Sequence, residues 1–179
     1  MDPLHSPLVD LDRPRRSVAA LTAVAAILVI AAAWSFEFAG FVPCKLCLMQ
    51  REPYYAAIPL AALAFGLDRY GAPAWTSRLL LVAVAGLFLW GGSIGFYQAG
   101  AEWGFWSGPT DCGATRGAGI PTAATDLMGS LAKVKIVDCT VAQIRILGLS
   151  FAGWNVLVSA GLVAFVAAGV VLPNRDRAA

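Results

Sequence analysis

Charge-free stretches dominate the hydropathy pattern of this chain. Residues 17–36, 53–67, 79–101 and 146–174 each run without a charged side chain. A helix needs roughly 20 apolar residues to cross a bilayer, so three of the stretches suffice outright. The second is short, and must borrow length from 46–52 or let its flanking charges snorkel. The pattern predicts an all-α membrane protein, a single integral domain over 1–179 built as a four-transmembrane-helix bundle. Its helices fall at about 17–38, 48–67, 79–101 and 147–172, with outer loops at 37–52 and 102–145. Were 53–67 a buried core helix instead, only three spans would remain, and the two loops would lie on opposite faces.

The loops differ in character. Residues 102–121, "EWGFWSGPTDCGATRGAGIP", are rich in turn formers. Beyond them, "TDLMGSLAKVKIVDC" sets Leu127, Leu131 and Val134 on one helical face and turns Lys133 and Lys135 away from it. That spacing predicts a short amphipathic helix along the membrane surface. Such a helix would tether Cys139 near the bilayer while Cys112 rides the turn-rich segment. In the third apolar stretch Gly91, Gly95 and Ala99 recur at four-residue spacing, which lets helices approach closely. Trp34, Trp103, Trp106 and Trp154 mark one membrane interface, and Trp75 marks the other.

Composition narrows the class. Apolar residues make up 59% and charged residues 13%, and mean hydropathy is +0.70, outside the range of soluble domains. A formal net charge of +2 with no basic stretch among aromatics argues against nucleic acid. The one histidine, His5, lies in the polar N-terminal tail, so neither a histidine-based triad nor a His-rich metal site is expected. Arg13, Arg15, Arg16, Arg69, Arg78, Arg175 and Arg177 crowd the tails and the 68–78 loop, whereas the other basic residues are spread over longer loops. The positive-inside rule then places both termini in the cytoplasm and all four cysteines outside, where disulfides persist. Arginines followed by an apolar run and "AAAW" could also signal cleavage after Ala33, but the run is longer than a usual signal core and reads better as an uncleaved helix.

The candidate chemistry is in the cysteines: Cys44, Cys47, Cys112 and Cys139. Cys44 and Cys47 form a Cys-X-X-Cys pair, which can be a redox couple, half a zinc site or a haem attachment. Haem attachment requires histidine after the second cysteine, where this chain has Leu48. Zinc sites of four cysteines favour two close pairs, and Cys112 is far from Cys139. A structural bond across so short a loop removes little unfolded-chain entropy. Redox activity is the reading that fits.

The chain resembles the bacterial disulfide bond formation protein B (DsbB) family. "PCKLCLMQR" follows the first span, "YQAGAEWGFWSGPTDC" runs out of the third, a further outer cysteine stands at 139, and "LGLSFAGWN" opens the fourth. The likeness covers most of 18–172. It implies a quinone-linked thiol oxidase of the bacterial inner membrane, with the cysteine loops in the periplasm. Its electron donor would be a DsbA-like thioredoxin-fold protein, and its acceptor ubiquinone or menaquinone. By position, Cys112 would form the mixed disulfide with that partner, and Cys139 would be its loop mate, able to attack Cys44. Cys47 would be released as the thiolate facing the quinone, with Arg51 beside the ring. A thiol oxidant at about −120 mV cannot be recharged by ordinary thiol pools, so a lipid-soluble acceptor is chemically apt.

Two positions depart from the family pattern. Gln98 stands after Tyr97 where many relatives carry histidine; an amide can donate a hydrogen bond to a quinone carbonyl but cannot shuttle a proton. Asp138 precedes the fourth cysteine, where relatives often have an acid after it. Arg51, at the start of the second helix, reads as a cation that joins the helix dipole in lowering the pKa of Cys47 and stabilising negative charge on a quinone oxygen. The bland alternative is an anchor that snorkels or pairs with Glu52. Two other readings remain for the whole chain. A vitamin K epoxide reductase-like protein would place its membrane pair late in the chain, and a four-span scaffold with stapled loops would need neither the Cys-X-X-Cys pair nor Arg51.

Overall fold

The computed structural model describes residues 13–109, 114–116 and 135–171. Among these, four long helices carry the fold: α1 (Pro14–Phe38), α3 (Glu52–Arg69), α4 (Ala74–Glu102) and α5 (Phe151–Val171). A short helix, α2 (Lys45–Met49), precedes α3. The long helices pack in a ring, α1 on α3, α3 on α4, α4 on α5 and α5 on α1. Small and medium side chains line its axis, with Ala57, Ala61 and Ala64 of α3 facing Leu81, Val84 and Phe88 of α4, all buried. Large apolar residues such as Leu28, Leu63, Leu89 and Phe96 point outward, as lipid-facing positions do.

Three helices, α1, α4 and α5, are long and apolar enough to cross a membrane. The expected fourth span corresponds to α3, which is shorter and packs inside the same ring. The helix expected from residue 48 is split, because Pro53 has no N–H to give the Met49 carbonyl, the bond that would carry α2 into α3. The last helix starts later than the expected residue 147. Residues 145–150 instead form a hairpin of β3 (Arg145–Ile146) and β4 (Leu149–Ser150). Its turn residues Leu147 and Gly148 both have positive φ, 53° and 84°, the requirement of a tight two-residue hairpin turn. The amphipathic helix expected before Cys139 falls mainly on 117–134, outside the described residues. Its C-terminal part is a strand, β2 (Lys135–Val137), paired antiparallel with β1 (Ala114–Arg116).

Two helix ends deliver the chain to the site. α1 closes with Gly40 at φ 97°, with Phe41 N–H on Phe36 O at 3.1 Å and Gly40 N–H on Glu37 O at 3.0 Å. α4 closes in the same way at Gly104, with Phe105 N–H on Gly100 O at 2.9 Å and Gly104 N–H on Ala101 O at 3.1 Å. Both are Schellman caps, which need a left-handed residue and so favour glycine. Each satisfies the last carbonyls of its helix and turns the chain sharply at the end of the bundle.

Candidate redox site

Residues 41–44 run from the α1 cap into α2, and Cys44 caps that helix. Its Sγ accepts the Cys47 N–H at 3.2 Å, which brings the two thiol groups to one side of a single turn. Their sulfurs lie 2.7 Å apart, and both cysteines are free. Cys44 is 1% exposed and packs in one apolar cluster with Leu46 and Cys139, itself 1% exposed. Cys139 is disulfide-bonded. The turn that carries it is held by Asp138, whose Oδ1 accepts Thr140 N–H at 2.9 Å. That bond keeps the Asp138 carboxyl below the usual carboxylate range. The Gln143 amide donates to Val42 O, so the second loop is clasped to the first just beside the thiol pair. Cys112 lies outside the described residues.

On the helix side, Cys47 meets Gln98 of α4, with Nε2 3.5 Å from the sulfur. Gln98 is the end of a chain of amides. Tyr54 Oη donates to Asn155 Oδ1 at 2.8 Å, Asn155 Nδ2 to Gln50 Oε1 at 2.8 Å, and Gln50 Nε2 to Gln98 Oε1 at 2.7 Å. Gln98 Nε2 also donates to Glu102 Oε1 at 3.1 Å. Every donor in the series points towards the sulfur, and such chains polarise one another. Gly95 makes room for it: a Cβ there would sit 3.0 Å from Asn155 Nδ2 and 3.2 Å from Gln50 Oε1. The small-residue row of α4 thus serves close packing, as its spacing predicts.

The electrostatic result is two unlike thiols. The hydrogen bond from Cys44 lowers the pKa of Cys47 most, and Gln98 lowers it further. Against burial and the nearby Glu102 carboxylate, the outcome is about 6. Cys44 is pushed up, first because it gives its proton to that hydrogen bond, then by burial and by the charge on Cys47. The two shifts run in opposite directions, which favours ionisation of Cys47 with Cys44 as the protonated partner.

Arg51 departs from expectation. It pairs with Glu37 of α1, not with Glu52, at 2.8 Å, and its Nη2 donates to Ala33 O at 3.3 Å. Arg51 is not among the causes of the low Cys47 pKa.

Two cavities flank Cys47. The larger, about 280 Å³, lies between α1, the start of α3 and α5, close to the ~300 Å³ at which small-molecule sites begin. Its walls are mostly apolar, with Val29, Ile30, Phe36, Phe151 and Val158, and its polar groups come from Glu37, Cys47, Gln50, Arg51, Tyr54, Gln143 and Asn155. The smaller, about 30 Å³, is lined by Cys44, Cys47, Gln98, Glu102 and Asp138 among others. Gln98, expected beside a quinone, therefore lines the smaller cavity and not the larger one. Gln50, Tyr54, Asn155 and Glu37 escaped the sequence reading. Their one local signal was polarity within or beside apolar stretches.

Apolar helices of membrane length and a half-buried pair of unlike thiols are the parts a membrane thiol–disulfide oxidoreductase requires. The family described as Disulfide bond formation protein DsbB matches residues 15–169, and the chain belongs to that family. No curated protein and no solved structure matches the chain. Family membership makes it a membrane oxidoreductase of disulfide bond formation.

Proposed function

We propose that this protein reoxidises a DsbA-like thioredoxin-fold protein in the periplasm and passes the electrons to a membrane quinone. The observation that carries this reading is the position of Cys47, whose thiol belongs to both the dithiol and the wall of the 280 Å³ cavity. A flat apolar ring fits such walls, and the polar groups supply donors for its carbonyl oxygens. Arg51 and Gln50 would hold one edge, with the Arg51 guanidinium, positioned by Glu37, offering N–H donors to a developing oxyanion. The quinone supplies the two-electron sink, ubiquinone or menaquinone, that thiol pools cannot provide.

In this reading Cys112 takes the mixed disulfide with the partner, and Cys139 is its loop mate. Burial of Cys139 against Cys44 in one cluster favours direct exchange between the two loops. Cys139 as a thiolate would attack Cys44, and Cys47 would leave as the thiolate that its surroundings stabilise. A low pKa makes Cys47 the better leaving group. α3 completes a four-span bundle with both termini cytoplasmic and the cysteine loops periplasmic, consistent with the arginine distribution.

The test is steady-state turnover. Purified protein, a reduced thioredoxin-fold dithiol partner and added quinone should give quinone loss equal to partner oxidised. Partner oxidation that ignores the quinone would contradict the proposal. A non-enzymatic scaffold would give no turnover at all.

A further inference from the structure

We propose that Glu102 is the base that takes the Cys44 proton when Cys44 and Cys47 close to a disulfide. This deepens the function above and rests on Cys44 and Cys47 being its working dithiol.

Glu102 is the last residue of α4, directly before the Schellman cap, and lines the same small cavity as the thiol pair. Its Oε1 accepts from Gln98, while its Oε2 is buried and has no hydrogen-bond partner among the described residues. Leaving a carboxylate oxygen buried and unbonded costs stability, so such an atom suggests a use. The 30 Å³ cavity it shares with both thiols has room for at least one water molecule, enough to bridge carboxylate and thiol. Among the described residues, the other titratable groups on that cavity are Cys44, Cys47 and Asp138; β4 and α5 contribute Ser150 and Phe151. Asp138 is the poorer acceptor, being exposed and already bonded to Thr140 N–H, which depresses its pKa.

The need for a base follows from the unequal thiols. Cys47 is already ionised near neutral pH, but Cys44 holds its proton tightly. Closing the S–S bond breaks the Cys44 S–H bond, and the two sulfurs together give up one electron pair. The proton passes to Glu102, directly or through one water. The electron pair passes to the quinone substrate together with two protons from solvent. Glu102 then returns its proton to the outer water past Asp138, which restores the carboxylate.

The test separates a base from a mere neighbouring charge. Reduced protein is mixed with a soluble short-tailed quinone, and in parallel with the thiol oxidant diamide, from pH 5.5 to 8.5. Closure of the Cys44–Cys47 bond and the alkylation midpoint of Cys47 are both followed. Glu102→Gln removes a charge that opposes Cys47 ionisation, so the alkylation midpoint should fall. Closure should nonetheless slow by roughly a hundredfold near neutral pH with both oxidants, the usual worth of a general base, and recover as hydroxide rises. Glu102→Asp keeps the charge but shortens the reach. It should leave the Cys47 midpoint in place and slow closure about tenfold, and it decides the matter if the glutamine variant does not fold. Closure as fast as wild type, or faster, in either folded variant overturns the proposal. Wild-type closure with diamide but not with quinone would count against the quinone reading and leave the role of Glu102 to be judged on the diamide series.

Discussion

Gln98 Nε2 on α4 lies 3.5 Å from Cys47 Sγ on α2, so an uncharged amide serves the thiol at a site where a cation was expected. Its orientation is fixed from behind by Gln50, which donates to its carbonyl at 2.7 Å. Gln98→Leu should therefore raise the pKa of Cys47 towards the ordinary thiol range. Asn155→Leu, which never touches the sulfur, should raise it by less, because the chain loses its polarising end. The pH dependence of iodoacetamide alkylation at Cys47 in the reduced protein reads both. An unchanged midpoint in Gln98→Leu would remove the amide from the account.

Cys44 should matter more than Gln98, since its hydrogen bond is the largest cause of the low Cys47 pKa. A depressed thiol pKa means the thiolate persists as pH falls and is lost only below about 6. Alkylation of Cys47 should be flat above that pH and drop about tenfold per unit below it. Cys44→Ala should move the midpoint up, and Cys44→Ser, whose hydroxyl still donates, should keep part of the shift. A Cys44→Ala protein that titrates like wild type would show that the cause was misassigned.

Arg51 offers a split between two readouts. Its charge is matched by Glu37 at 2.8 Å, while it still lines the larger cavity. Arg51→Ala should raise the apparent quinone KM and leave the Cys47 alkylation midpoint near wild type. Arg51→Lys keeps the charge but loses the planar fork, and should fall between. Wild-type kinetics in folded Arg51→Ala would make Arg51 an anchor of α3 on α1 and nothing more.

The helices were legible because a charge-free run of membrane length must bond its backbone to itself. The thiol pair was legible because three-residue spacing is local. The break between α2 and α3 was also written in the chain, at Pro53, though it reads as a boundary only once the Met49 carbonyl is considered. The amide series was not legible. Gln50 meets Gln98 across 48 residues and Asn155 across 105, and no local pattern says which faces of distant helices meet. The ion-pair partner of Arg51 was not legible for a related reason. Glu52 is adjacent in sequence, and adjacent helix residues diverge, whereas Glu37 comes from the end of another helix. The hairpin at 145–150 was missed because a leucine, not a glycine, takes the first left-handed turn position.

Packing at the end of α4 gives a stability test. Trp106 folds back on Gly100, donates its indole N–H to Tyr97 O at 2.8 Å, and stacks on the Tyr97 ring. A Cβ at position 100 would run into that indole. Gly100→Ala should cost about 1–3 kcal/mol through displaced packing and lower the thermal midpoint of the detergent-purified protein by circular dichroism. A midpoint at or above the wild-type value would mean Trp106 does not hold this position.

The most direct test of the account is a single turnover without any partner. Fully reduced protein in detergent, mixed with excess quinone, should consume two equivalents of quinone, the first as the Cys44–Cys47 bond forms and the second after Cys112 and Cys139 pass their electrons through that pair. Cys47→Ser, which removes the sulfur shared by dithiol and cavity, should consume none. Quinone consumption that survives in Cys47→Ser, or a wild-type Cys44–Cys47 pair that stays reduced beside quinone, would contradict the account.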